Sequence, residues 1–230
     1  MTANRHTVSR IAIIAMAVGS AVAAEPDQVA RWKEARINPA RSIQLDKAVA
    51  LYQRTADRYL KVEKMRPNGI PAQILFTFHV RESDASFRHH PHEGSTLQHR
   101  TRYVPKGRLP APAQPPFTWD QSAEDAYYTY EKLDRRNWNK LQTALQAMES
   151  FNGLGYQRPG KPPSPYLWAA TTIERPGKYI ADGKYSATAR DAQLGCAAIL
   201  KRMEQRGMTI PRVFTGAPMP AFRLGASKQP

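Results

Sequence analysis

Glu82 stands in the stretch His79-Val80-Arg81-Glu82-Ser83-Asp84-Ala85-Ser86-Phe87-Arg88-His89-His90-Pro91-His92-Glu93-Gly94. One carboxyl group among histidines, arginines and further acids suits three chemistries: proton transfer, metal ligation, or a charged surface. Helical phase separates them. At 100° per residue from Ile74, Phe78 falls at about 40°, Glu82 at about 80° and Leu75 at about 100°. Glu82 therefore shares the apolar stripe. Burial and the negative end of a helix dipole both favour a neutral carboxyl, which a general acid needs. On phase alone, a core-edge glutamate neutralised by Arg81 or His79 fits as well. His79, at about 140°, flanks Glu82 and either tunes it or is a satisfied core histidine.

The histidines downstream form a weaker pattern. His89 and His90 are adjacent and cannot readily chelate together, Pro91 restrains the turn, and neither H-E-x-x-H nor paired cysteines occur. A solvated basic turn is expected here, with no metal or other cofactor; a histidine-ligated metal hydrolase is the competing reading. The single cysteine, Cys196, lies in an apolar helical pattern and reads as a buried structural thiol.

The surrounding elements are mostly helical. Leu45, Ala48, Val49, Tyr52, Ala56, Tyr59 and Leu60 mark a helix between Ala40 and Met65, stopped by Pro67-Asn68-Gly69. Pro71 opens a second helix that runs to about Ser83. Residues 84–117 read as an irregular or β insertion, with Thr101 to Val104 its one candidate strand. Lys106 to Pro116 is too rich in proline for a helix interior or central strand. Thr118 and Gln121 have capping-box spacing and open a third helix, with Ala123, Ala126, Tyr127, Tyr130 and Leu133 on its inner face. Trp138, Leu141, Leu145, Met148 and Phe151 mark a fourth, ended by Asn152-Gly153. A loop spans Gly153 to Tyr185. A last helix carries Ala189, Ala192, Cys196, Ile199, Leu200 and Met203 and ends at Gly207, and an extended tail follows from 208 to 230.

At 230 residues and +15 net charge, the chain is a basic protein with room for one substantial domain. Residues 1–24 have Arg5 and Arg10 ahead of an apolar run, Ile11 to Val22, and then small residues. That reads as a cleaved secretory signal, with an uncleaved anchor as its rival. The domain then spans 25–207, in the periplasm or secreted, with no integral span after cleavage. Anionic envelope polymers would suit its charge, whereas export and the lack of an RNA-binding signature argue against nucleic acid.

Glu82-Ser83 at a helix end, followed by Phe87 and a Gly-x-x-Leu step, resembles the lysozyme-like superfamily of peptidoglycan-cleaving enzymes, in its lytic transglycosylase and goose-type lysozyme branches. Ser150-Phe151-Asn152-Gly153 is similar to their Tyr-Asn-Gly step. The order His79 to Ser83, Val104 to Arg108, Pro116 to Trp119, Asn152 to Tyr156, Ser164 to Trp168 and Gly177 to Gly183 resembles a bacterial and phage group of such proteins over residues 72–205. The resemblance implies a mainly α, lysozyme-like helical domain with the insertion after its catalytic helix. It implies a glycosidase cleaving the β-1,4 bond between N-acetylmuramic acid and N-acetylglucosamine of peptidoglycan strands, with Glu82 as the acid.

Ser83, Phe87, Asn152, Gly153, Tyr156, Tyr166 and Trp168 would then line the sugar groove, although Tyr166 and Trp168 equally suit the core. Asp125 is either a surface aspartate, which its phase favours, or a groove residue. Hydrolysis asks for a second carboxylate, and Asp84, Glu93, Asp120, Glu124 and Asp125 are the candidates. Transglycosylation asks for none. A non-catalytic wall-binding or scaffold protein on the same fold is the other function.

Overall fold

A computed structural model describes residues 28–215, apart from Pro110 and Asp182. The expected signal segment and the end of the expected tail, 216–230, lie outside the described residues. The chain is mainly α, as expected. Its helices are α1 (Gln28–Glu34), α2 (Ser42–Glu63), α3 (Ala72–Ser83), α4 (Trp119–Glu124), α5 (Leu141–Ser150), α6 (Pro165–Trp168) and α7 (Cys196–Gln205). A two-stranded antiparallel hairpin, β1 (Lys178–Ala181) and β2 (Lys184–Ser186), precedes α7.

Helix α3 is the axis of the fold. Ala72, Ile74, Leu75, Phe76, Thr77, Phe78 and His79 are all buried, so it is enclosed on nearly every side, as a helix apolar all round must be. It packs against α2 and α7, and α7 continues onto α6. The turn from α2 into α3 is tight. A Cβ on Gly69 would come within 1.8 Å of the Glu63 carbonyl oxygen, so no other residue fits there. The Glu63 carboxylate then accepts the Ala72 N–H at 2.9 Å and satisfies one free donor of the helix start.

Thr118 and Gln121 make the expected capping box, which fixes where α4 begins. Helix α4 then widens into a π turn over Asp125–Tyr130. Such single π turns recur at functional sites. Trp119 of α4 packs against His79, and Tyr127 of the π turn against Phe78, so this segment crosses the face of α3 that also carries Glu82.

Several expectations fail, each for a physical reason. Thr101 to Val104 is not a strand but part of a tight loop, and the described residues of 84–117 contain one isolated bridge, His89 to Thr96. The β structure lies instead at 178–186, inside the segment expected to be loop. Ala189 and Ala192 precede α7 rather than belonging to it. The chain must first pass Gly195, where a Cβ would collide with the Ala169 and Leu167 backbone. Residues 208–215 are not an extended tail: Ile210 and Phe214 are buried, and Phe214 packs edge-on against Trp32 of α1. Helix α1 had no counterpart among the expected elements. No helix among the described residues is long and apolar enough to cross a membrane.

Candidate functional site

The last turn of α3 delivers Glu82 to the edge of the core. The helix is closed by Asp84 and Ala85, both left-handed at φ 52° and 54°, with the Ala85 N–H bonded to the His79 carbonyl at 2.9 Å. Two consecutive non-glycine residues in that region store about 1–3 kcal/mol each, which the surrounding packing must overcome. Glu82 itself is half-buried. The Tyr166 hydroxyl donates to its Oε1 at 2.9 Å. Below the pair, Phe78 and Phe151 stack with ring centroids 4.4 Å apart, and Tyr166 leans on both. Phe151, in the position of the resembled family's tyrosine, is thus part of an apolar floor.

Arg81 fixes the other side of this turn. Its side chain donates to the Asp191 carboxylate at 2.9 Å, while its guanidinium lies 4.7 Å from the centre of the Tyr166 ring. Lys178 of β1 reaches the other oxygen of Asp191 at 3.0 Å, and the Gln193 side chain donates to the Arg81 carbonyl at 3.0 Å. Burial alone would raise the Asp191 pKa, but Arg81 and Lys178 outweigh it and hold the carboxyl below its ordinary range. The hairpin is thereby tied to the helix that carries Glu82. Spacing gave no hint of this triad, because Arg81 and Asp191 lie far apart in the chain and each alone looks like a surface charge.

The expected groove residues divide. Tyr166 is buried and belongs to Glu82. Tyr156 is buried too, with its hydroxyl accepting the Tyr179 N–H of β1 at 3.1 Å, and burial pushes its pKa up to about 12. Asn152 and Gly153 are half-buried at the end of α5 beside Phe151, and Gly153 has the left-handed φ of 90° that the turn needs. Ser83 turns back onto its own helix, its hydroxyl 3.4 Å from the His79 carbonyl. Trp168 is wholly buried and donates from Nε1 to Gln28 of α1 at 3.2 Å, which makes it core rather than groove. Phe87 packs against Tyr59, His79 and Trp119 and is covered by the Arg58 guanidinium at 3.8 Å. One ring face lies under Arg58 and the ring is half-buried in this aromatic cluster.

His79 does not tune Glu82. Its Nδ1 accepts from the Tyr59 hydroxyl at 2.8 Å and its Nε2–H donates to the Ser86 carbonyl at 3.2 Å. Burial lowers its pKa to about 3, so it is the satisfied, neutral core histidine.

The expectation of a solvated histidine turn is overturned. His90, His92 and Glu93 are buried. The Ser122 hydroxyl donates to His90 Nδ1 at 2.7 Å, and His90 Nε2–H donates to the His99 carbonyl at 2.8 Å. His92 Nε2–H donates to Asp125 at 2.8 Å. Glu93 accepts from Ser95 and from the Tyr103 N–H. Asp125 is correspondingly not a surface aspartate. Arg108 grips it with two donors, and together with His92 outweighs the effect of burial to hold its pKa below the ordinary range. His92 and Arg108 thus rivet the insertion onto the π turn through Asp125, and His90 onto α4 through Ser122. Among the described residues, no three of His, Cys, Asp and Glu converge as metal ligands.

Cys196 is buried, and burial pushes its thiol up to about 12, far from a reactive thiolate. Comparison with family models, curated proteins and solved structures finds nothing that matches the chain.

Proposed function

We propose that the protein is an exported peptidoglycan-cleaving glycosidase with a lysozyme-like helical fold, in which Glu82 is the general acid and the bond cleaved joins N-acetylmuramic acid to N-acetylglucosamine. The observation that carries this is a half-buried carboxyl group at the strained end of the central helix, with one oxygen held by a buried tyrosine hydroxyl. Tyr166 holds the Glu82 side chain in place through Oε1.

The other carboxylates favour transglycosylation over hydrolysis. Asp125 is committed to Arg108 and His92, Glu93 to Ser95 and Tyr103, Asp120 to Lys61 and Arg58, and Glu124 to Arg66. Asp84 is exposed past the helix end. One acid then performs both steps. Glu82 protonates the glycosidic oxygen as the C1–O bond breaks. Its carboxylate takes the proton of the muramyl 6-hydroxyl, whose oxygen closes on C1. The product is a 1,6-anhydro end, and no water is consumed. Digestion of purified sacculi followed by mass spectrometry tests this: anhydro-muropeptides are expected, reducing ends would reassign the chemistry to hydrolysis, and no release at all would reject the enzyme.

Tyr166 gives a second test of the same site. Its hydrogen bond orients the Glu82 side chain. In Tyr166→Phe maximal activity is expected to fall about tenfold, the size of a lost hydrogen bond to a charged group. Unchanged activity would mean that Tyr166 does not position the acid.

A further inference from the structure

The loop Arg102-Tyr103-Val104-Pro105-Lys106-Gly107, which overlaps the resembled Val104 to Arg108 motif, has no part in the Glu82 site. It is a rigid knob. At its neck the Gly107 N–H donates to the Thr101 carbonyl at 2.9 Å and the Arg108 N–H donates to Thr101 Oγ1 at 2.8 Å. Thr101 is buried, as is Pro105, whose carbonyl accepts from the Thr101 hydroxyl at 2.5 Å. The neck is bolted down further where the Tyr103 N–H meets buried Glu93 and Arg108 meets buried Asp125.

Four side chains of the loop face water. Tyr103 is 56% exposed and Val104 46%, with Arg102 and Lys106 exposed on either side. Tyr130, 39% exposed, lies at the base under the Arg108 guanidinium, 5.2 Å away. Tyr103 and Val104 side by side, flanked by Arg102 and Lys106, form a small mixed apolar and cationic tip.

We propose that this knob docks the domain on an anionic lipid bilayer. Tyrosine rings and apolar tips settle at the headgroup boundary, and flanking Lys and Arg are drawn to anionic lipid while their stems reach back. A projecting tip suits a deformable interface, whereas a glycan strand needs a concave face along which to lie. The net charge of +15 brings the protein to such a surface over long range. Docking by this knob would hold the domain beside the membrane whether or not Glu82 is catalytic.

Flotation of the full chain with vesicles tests it. Binding is expected to phosphatidylcholine vesicles that contain phosphatidylglycerol, weakly or not at all to phosphatidylcholine alone, and to weaken with added salt. Tyr103→Ser with Val104→Ser is expected to reduce the anionic-vesicle affinity at least tenfold. Arg102→Gln and Lys106→Gln should each reduce it about fivefold. All four side chains are exposed, so unchanged thermal melts would confirm that the variants fold. Equal binding by wild type and variants, or equal binding to neutral vesicles, would overturn the proposal. So would variants that keep vesicle binding but lose binding to purified sacculi, because the knob would then be a glycan surface.

Discussion

Glu82→Gln is expected to lower muropeptide release by about 10²- to 10⁴-fold, the usual contribution of a positioned general acid and about 3–5 kcal/mol of barrier. Glutamine keeps the volume of the side chain, and its amide oxygen can still accept from the Tyr166 hydroxyl, so the aromatic floor and the end of α3 are left in place. What is lost is the ability to give up a proton and take one back. Stability should change by about 1 kcal/mol or less, and denaturant unfolding of both proteins checks that the loss is chemical. The experiment also separates function classes. A wall-binding protein without catalysis would show sacculus binding and no release in either form. A variant with full activity would place the acid elsewhere in the molecule.

The Glu82 position was legible because it depends on one short range rule. Phase along α3 is set by the residue count from Ile74, and nothing distant can rotate one residue relative to its helix. The capping box at Thr118 is local in the same way, and it came out as expected. Other features depend on partners far along the chain. Hydropathy sees His90, His92, Glu93, Asp125 and Arg108 as five polar residues and assigns them to the surface. His92 and Arg108 satisfy Asp125 across loop and π turn, while buried His90 and Glu93 find partners in Ser122, His99, Ser95 and Tyr103, and no window of sequence contains those pairings. The hairpin at 178–186 escaped for a different reason: its strands have four and three residues, and their exposure does not alternate. Phe87 and Trp168 show the corresponding limit for aromatics. A loop aromatic is a fair groove candidate until Arg58 and Gln28 are found covering or holding it.

Asp191→Ala is expected to destabilise the protein by about 3–5 kcal/mol, because it strands the Arg81 guanidinium in the core without its carboxylate. The Arg81 side chain is 7% exposed and that of Asp191 2%, so water cannot replace the lost partner. Lys178, 18% exposed, can turn outward, and Arg81 cannot. Urea unfolding measures the loss. Arg81→Met combined with Asp191→Ala should recover most of it, since a buried pair exchanged for apolar atoms of similar volume is often neutral or better. The sign of the pH dependence follows from the Asp191 pKa, which is depressed in the native state. Its contribution is fully present above the ordinary aspartate range, near pH 4, and is lost as pH falls through the lowered native value. The gap between wild type and Asp191→Ala should therefore be flat at neutral pH and close only in strong acid. Function should suffer before the fold does. With Arg81 displaced, Tyr166 loses the cation above its ring, the hairpin loses its tie to α3, and the hydrogen bond that orients Glu82 loosens. A single variant as stable and as active as wild type would mean that neither the hairpin nor Tyr166 is held through Asp191.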